Sequence, residues 1–215
     1  MASLELSATN AFKFFSLMTP FLLVFFLMVN SVINQDIKAL IYILGTIIAS
    51  TANIFIMNLI KSTRSVDASP FCNVFSFPFM NGSNAGERYD TPSITAMFIS
   101  FTIAYICLPM TWNAPYSINY PFIIFLLMLL IIDVTVQHMF RCNKPLGTFL
   151  GIVLGFIFGT LWYVMIRSTG DISKSLLYYS DYNGSKTICS RPRKQYFKCD
   201  VYKNGKLVQN STFSQ

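Results

Sequence analysis

The sequence predicts an all-α polytopic membrane protein, with about five transmembrane helices and a small C-terminal extramembrane module built on a β-hairpin. Three observations predict it. Of 215 residues, 53% are apolar and only 12% charged, about half the ~25% charge of an ordinary soluble domain. The apolar residues, rich in Phe, gather in long uncharged runs. Near the C-terminus an Asn-Gly pair separates two segments of strand-like alternation, which is hairpin turn chemistry. With a mean hydropathy of +0.51, this composition excludes a disordered tail protein, a nucleic-acid-binding tail protein and an ordinary soluble enzyme.

A bilayer core requires about 20 mostly apolar residues per helix. The runs that qualify are 11–33, 37–60, 93–110, 120–140 and 146–166. They define a bundle over 1–166, with an extramembrane loop at 61–92, and an extramembrane tail over 167–215. The N-terminus has no basic n-region, Glu5 precedes the apolar run, and no clean small-x-small site follows. Span one is therefore expected to be retained rather than cleaved.

Five spans put the two chain ends on opposite sides. Lys13, Lys61, Arg64, Arg141 and Lys144 flank the spans on the N-terminal side, against Lys38, Arg167 and Lys174 on the other. That bias favours the N-terminal side as cytoplasmic. The sequons at Asn81, Asn183 and Asn210 fall on both sides and do not decide it. Trp112 and Tyr116 suit an interfacial belt.

In the tail, Asn204-Gly205 joins Phe197-Lys-Cys-Asp-Val-Tyr-Lys to Lys-Leu-Val-Gln. Pairing Lys203 with Lys206 sets Tyr202 opposite Leu207 and Val201 opposite Val208. A lone hairpin is marginal in water, so it requires support from a partner, the bilayer surface or a disulfide. Cys189 and Cys199 are the candidate pair, two unlinked thiols being the alternative. The five Cys (72, 107, 142, 189 and 199) show no CxxC or CxxH spacing and there is one His. No metal site and no cofactor are expected. Arg191, Arg193 and Lys194 beside Tyr196 and Phe197 form the densest basic cluster. It reads as a solvated charge run, a site for anionic headgroups or a docking surface for an acidic partner. Nucleic acid is not an expected partner for so short a patch.

Asp133 lies inside span four, with Gln137 one turn on. Intramembrane carboxyls are costly and usually face a bundle interior. Either it makes a structural hydrogen bond or ion pair with Lys61, Arg64 or Arg141, or it marks a proton or ion path. Asn53 and Asn58 are candidates for joining helices by hydrogen bonds. Span five carries Gly147, Gly151, Gly155 and Gly159, one every four residues. Such a smooth stripe lets another backbone approach closely, so helix packing is expected there.

The layout over residues 37–166 resembles the type 2 phosphatidic acid phosphatase family. That family has a Lys-x6-Arg-Pro motif after one helix, Pro-Ser-Gly-His opening the next, and Ser-Arg-x5-His-x3-Asp before a Gly-rich helix. Here Asn58-Leu-Ile-Lys61 ends span two, Asp90-Thr-Pro92-Ser93-Ile-Thr95 opens span three, and span five begins Gly147-Thr-Phe-Leu-Gly151. Only Lys61, Pro92 and Ser93 match. The Arg-Pro positions hold Ala68 and Ser69, the Gly-His positions Ile94 and Thr95, and the Arg, His and Asp positions Gln137, Asn143 and Gly147. A nucleophile and an acid cannot both be supplied by a single His, so the resemblance implies a scaffold without its catalytic residues.

The expectation is thus a non-enzymatic structural subunit of a larger membrane assembly, with membrane lipids and other protein subunits as partners. Richness in Phe, Ile and Asn suggests an internal membrane protein of a large DNA virus particle, anchoring membrane to protein shell. One alternative is a lipid-phosphate-binding or residual lipid phosphatase-like protein, with Lys61, Arg64, Arg141 and Lys144 holding the phosphate. The other is a transporter or channel subunit centred on Asp133. Docking is expected through Arg191, Arg193, Lys194, Tyr196 and Phe197.

Overall fold

The computed structural model describes residues 8–64, 67–69, 72, 89–112, 118–169, 176–178, 196–203 and 206–214. It contains five helices long and apolar enough to cross a membrane, as in an integral, multi-pass membrane protein. They are α1 (Ala8–Ile33), α2 (Lys38–Ile60), α3 (Ile94–Trp112), α4 (Tyr120–Met139) and α5 (Pro145–Ser168).

The helix ends follow local chemistry. The α1–α2 turn is tied by Ser31, whose hydroxyl donates to Asp36 Oδ1 at 2.6 Å, and Gln35 takes a positive φ. Helix α2 stops at Lys61, whose left-handed conformation turns its N–H back to the Met57 carbonyl, a C-terminal cap that satisfies an orphan carbonyl. Helix α4 starts where Asn119 accepts from the Phe122 N–H, with Pro at the first turn, where its missing N–H costs nothing. Pro145 opens α5 in the same way.

Helix α3 is the central element. About two-thirds of its membrane-spanning stretch (67%) is buried, against 22–33% for the other four helices. Its most extensive packing is against α5, and the glycine stripe is the reason. A Cβ on Gly159 would lie 2.7 Å from the Phe101 carbonyl oxygen, one on Gly151 2.5 Å from that of Ser93, and one on Gly147 2.6 Å from Thr91 Oγ1. At Gly155 it would run into Ser100 Oγ and the Met97 carbonyl. Small residues let two helix backbones approach this closely. Around the contact, Tyr42, Phe101, Tyr105 and Tyr163 are fully buried. Tyr42 shares a 2.7 Å hydrogen bond with Thr102, so its hydroxyl is not left unsatisfied in an apolar setting. The outward faces of α1, α2, α4 and α5 carry exposed Phe, Leu and Ile, as a lipid-facing surface requires.

The sequence reading divides the chain at 166/167. The compact division falls later, between Tyr182 and Asn183. Leu177 and Tyr178 are buried in the bundle core, and the Tyr178 hydroxyl donates to the Leu27 carbonyl at 3.4 Å. Burial, and then the Asp36 charge, pushes the Tyr178 phenol above its ordinary pKa, so it stays a protonated donor. These aromatics therefore cap the bundle rather than belong to a separate tail.

The C-terminal unit contains β1 (Tyr196–Lys203) and β2 (Lys206–Ser214), paired antiparallel. Lys203 pairs with Lys206 and Tyr202 with Leu207, but Val201 pairs with Gln209, not with Val208. The register shifts between Val201 and Tyr202, leaving Val208 of β2 as the extra residue of a bulge, which a simple two-residue count through the turn cannot register. Cys189, Arg191, Arg193, Lys194 and the Asn204-Gly205 turn lie outside the described residues. Tyr196, Phe197 and Cys199 are placed on β1 by their backbone alone.

Candidate functional site

The polar residues of the bundle gather at the end where α2 and α4 finish and α3 and α5 begin. Helix α4 supplies Asp133 and, one turn later, Gln137, both on its buried face. Helix α1 supplies Ser16, which donates to Asp133 Oδ1 at 2.7 Å. The first turn of α3 supplies Thr95, which donates to Asp133 Oδ2 at 3.0 Å, and Gln137 Nε2 donates to the same oxygen at 2.5 Å. Asp133 is 1% exposed, and these three donors satisfy both its oxygens, as a buried carboxyl requires. Among the described residues, the hydrogen-bond partners of Asp133 are a serine, a threonine and a glutamine, the hydrogen-bonded alternative rather than the ion pair.

A second layer continues from Gln137. Ser93 donates to Gln137 Oε1 at 3.0 Å. Asn143, in the α4–α5 turn, donates to the Ser93 hydroxyl at 2.8 Å and also to Gln137 Oε1. The Ser93 backbone N–H reaches the Gly147 carbonyl at 2.9 Å, and the Asp90 N–H reaches the Ser62 carbonyl at 3.1 Å. Tyr89 bridges to Thr63. The segment before α3 is thereby stapled between the end of α2 and the start of α5.

Beside this network lies a cavity of about 310 Å³. Its polar end holds Arg64, Asp90, Ser93, Asp133, Gln137 and Asn143, and its walls include Pro20, Phe21, Val24, Ile54, Met57 and Phe98. Arg64 donates to the Cys72 carbonyl at 3.0 Å. Cys72 is joined to Cys142 by a disulfide across a sequence separation of 70, tying the loop after α2 to the end of α4.

The residues expected to hold phosphate differ in their place relative to the cavity. Arg64 lines the cavity. Lys61, Arg141 and Lys144 are exposed and are not among the lining residues. Arg141 pairs with Asp67 at 3.3 Å, and Lys144 donates to Ser62 Oγ and the Thr63 carbonyl at 3.1 and 2.9 Å. The single His, His138, is exposed and outside the lining. Asn53 is buried and donates to the Pro92 carbonyl at 3.3 Å, while Asn58 is exposed.

The Ser93 hydroxyl is hydrogen-bonded to the side-chain amides of Gln137 and Asn143 and lies 3.5 Å from the Thr95 hydroxyl. Among the described residues, no three His, Cys, Asp or Glu side chains come together to hold a metal ion. Sequence reasoning missed the roles of Ser16 and Asp90 and the Cys72–Cys142 link. The available signals were a hydroxyl inside an apolar run, a carboxyl just before a span, and one cysteine in each of two loops on the same side. No family model, curated protein or solved structure matches the chain.

Proposed function

We propose that the protein is a non-enzymatic, structural subunit of a larger membrane assembly, built on a phosphatase-like bundle. One observation carries the scaffold half of this reading. Ser93, Gln137 and Asn143 occupy positions counted from two separate motifs of the resemblance, and they meet in one hydrogen-bonded group. A chance likeness between apolar bundles has no reason to bring those positions together. At two of them the family's Arg and His are replaced by amides, so the network has structural uses and no phosphohistidine chemistry. Asp133 spends its acceptors within the same network, which supports a structural role over a transport path.

The C-terminal hairpin supports the assembly half as an extramembrane docking module. Two strands alone bury too little to be stable, and Tyr and Arg are favoured at binding hot spots. Arg191, Arg193, Lys194, Tyr196 and Phe197 are the proposed centre of that contact. The internal membrane of a large DNA virus particle, with its protein shell as partner, is the setting that composition suggests.

Turnover is the test. The purified full chain, offered phosphatidic acid and pyrophosphate-headed lipids, is expected to release no phosphate. Release that disappears in His138→Ala would refute the non-enzymatic reading. The cavity favours a second reading, in which the bundle also binds a lipid.

A further inference from the structure

The polar end of the cavity carries two carboxyl groups, Asp90 and Asp133, and one guanidinium, Arg64. The two carboxyls differ in how they are satisfied. Asp133 is fully engaged by Ser16, Thr95 and Gln137. Asp90 accepts the Thr91 hydroxyl on Oδ1 at 2.9 Å, but Oδ2 has no hydrogen-bond partner among the described residues. The residue is nevertheless only 2% exposed. A buried acceptor left unmatched costs about 1–3 kcal/mol, so this position favours a ligand that donates.

Most of the remaining lining is apolar, with Ser16, Ser50 and Thr95 among it. Helix α1 contributes lining residues from Ser16 to Val24, a run of about 12 Å along its axis. Ile54 and Met57 of α2 and Phe98 of α3 complete the walls. A polar end with an unmet acceptor above an apolar channel fits a molecule with one small head and one chain. The volume of about 310 Å³ lies at the small end of ligand pockets, which run from ~300 to 1,000 Å³.

We propose that the cavity binds a single-chain amphiphile whose head donates hydrogen bonds, an alcohol or an ammonium, seated at Asp90 with its chain between α1, α2 and α3. A phosphate head is the poorer match. The unmatched atom at Asp90 is an acceptor, which a donating head meets and a phosphate oxygen does not, while Arg64 at the same end donates to the Cys72 carbonyl. The proposal rests on the lipid-binding reading and is independent of the assembly reading.

The test is native mass spectrometry of the full chain in a non-ionic detergent with three probes that share a C18:1 chain. They are oleylamine, 1-monooleoylglycerol and oleoyl lysophosphatidic acid. The amine, the glycerol ester or both are expected to bind one-to-one, at least ~10-fold more tightly than the lysophosphatidic acid. Preference for the amine identifies an ammonium head, and preference for the ester an alcohol. Asp90→Asn exchanges an acceptor oxygen for a donor and should weaken binding by ~10-fold or more. Ile54→Phe narrows the apolar wall and should weaken it without touching the head site, which keeps the test decisive if Asp90→Asn does not fold. If lysophosphatidic acid binds as tightly as the others, the head-group proposal is overturned and the lipid-binding reading stands. If no probe binds, or Ile54→Phe binds all three unchanged, both fall.

Discussion

Asn143 donates to the hydroxyl of Ser93 at 2.8 Å across fifty residues of sequence. That contact joins the α4–α5 turn to the residue just before α3, and Ser93 in turn holds Gln137. The network is the polar counterpart of the glycine contact below it: one aligns the start of α3 with α4, the other presses α3 onto α5.

The glycine contact is expected to tolerate no side chain. At Gly155 and Gly151 the obstructing atoms include backbone of α3 and of Ser93, which cannot rotate away. Gly155→Leu and Gly151→Leu should each lower stability in detergent by roughly 1–3 kcal/mol or more, measured by thermal unfolding. Leu161→Ala, on an exposed face of α5, should change it little. Wild-type stability in both glycine variants would mean that the stripe does not hold α3.

Asp133 and its donors should lose stability unequally. Ser16→Ala removes one donor of three and is expected to cost about 0.6 kcal/mol, the usual worth of an interhelical hydrogen bond in a membrane. Asp133→Leu strips the acceptor from Ser16, Thr95 and Gln137 together and should cost more, about 1–3 kcal/mol. Unfolding of the two variants under one condition checks the order.

The chain end should show a sharp boundary. Truncation after Tyr182 keeps Leu177 and Tyr178 and is expected to leave the thermal midpoint of the bundle unchanged. Truncation after Ser168 removes both, and burying an apolar side chain of this size is worth about 1.5–3 kcal/mol, so its midpoint should fall. Equal midpoints would show that the Tyr178 cap contributes nothing.

Cys72 and Cys142 should be found linked. Protease mapping without reductant is expected to yield one crosslinked peptide pair containing both, which separates on reduction. Recovery of both as free thiols from protein alkylated at the moment of extraction would contradict the link.

The spans were legible because apolar runs of this length have few other uses, and Asp133 and Gln137 stood out as polar residues within one. The glycine spacing announced a close contact but not its partner, since nothing in span three resembles a complementary stripe: the answer is backbone at Ser93, just before α3, and at Met97 and Phe101 within it. Ser16, Thr95 and Asn143 were hidden for a different reason. Hydroxyls and amides occur singly throughout such helices, and only packing shows which four or five converge. The Cys72–Cys142 link depends on how loops fold over the helix ends, which periodicity does not encode. The bulge at Val208 likewise leaves no mark in an alternating pattern.

The subunit reading is tested most directly by the native mass of the protein extracted in mild detergent from the membranes in which it is made. The expected result is one stoichiometric complex containing at least one other protein, lost when residues 183–215 are removed. A chain that elutes alone with its lipid under every extraction that preserves the bundle, with or without those residues, would contradict it.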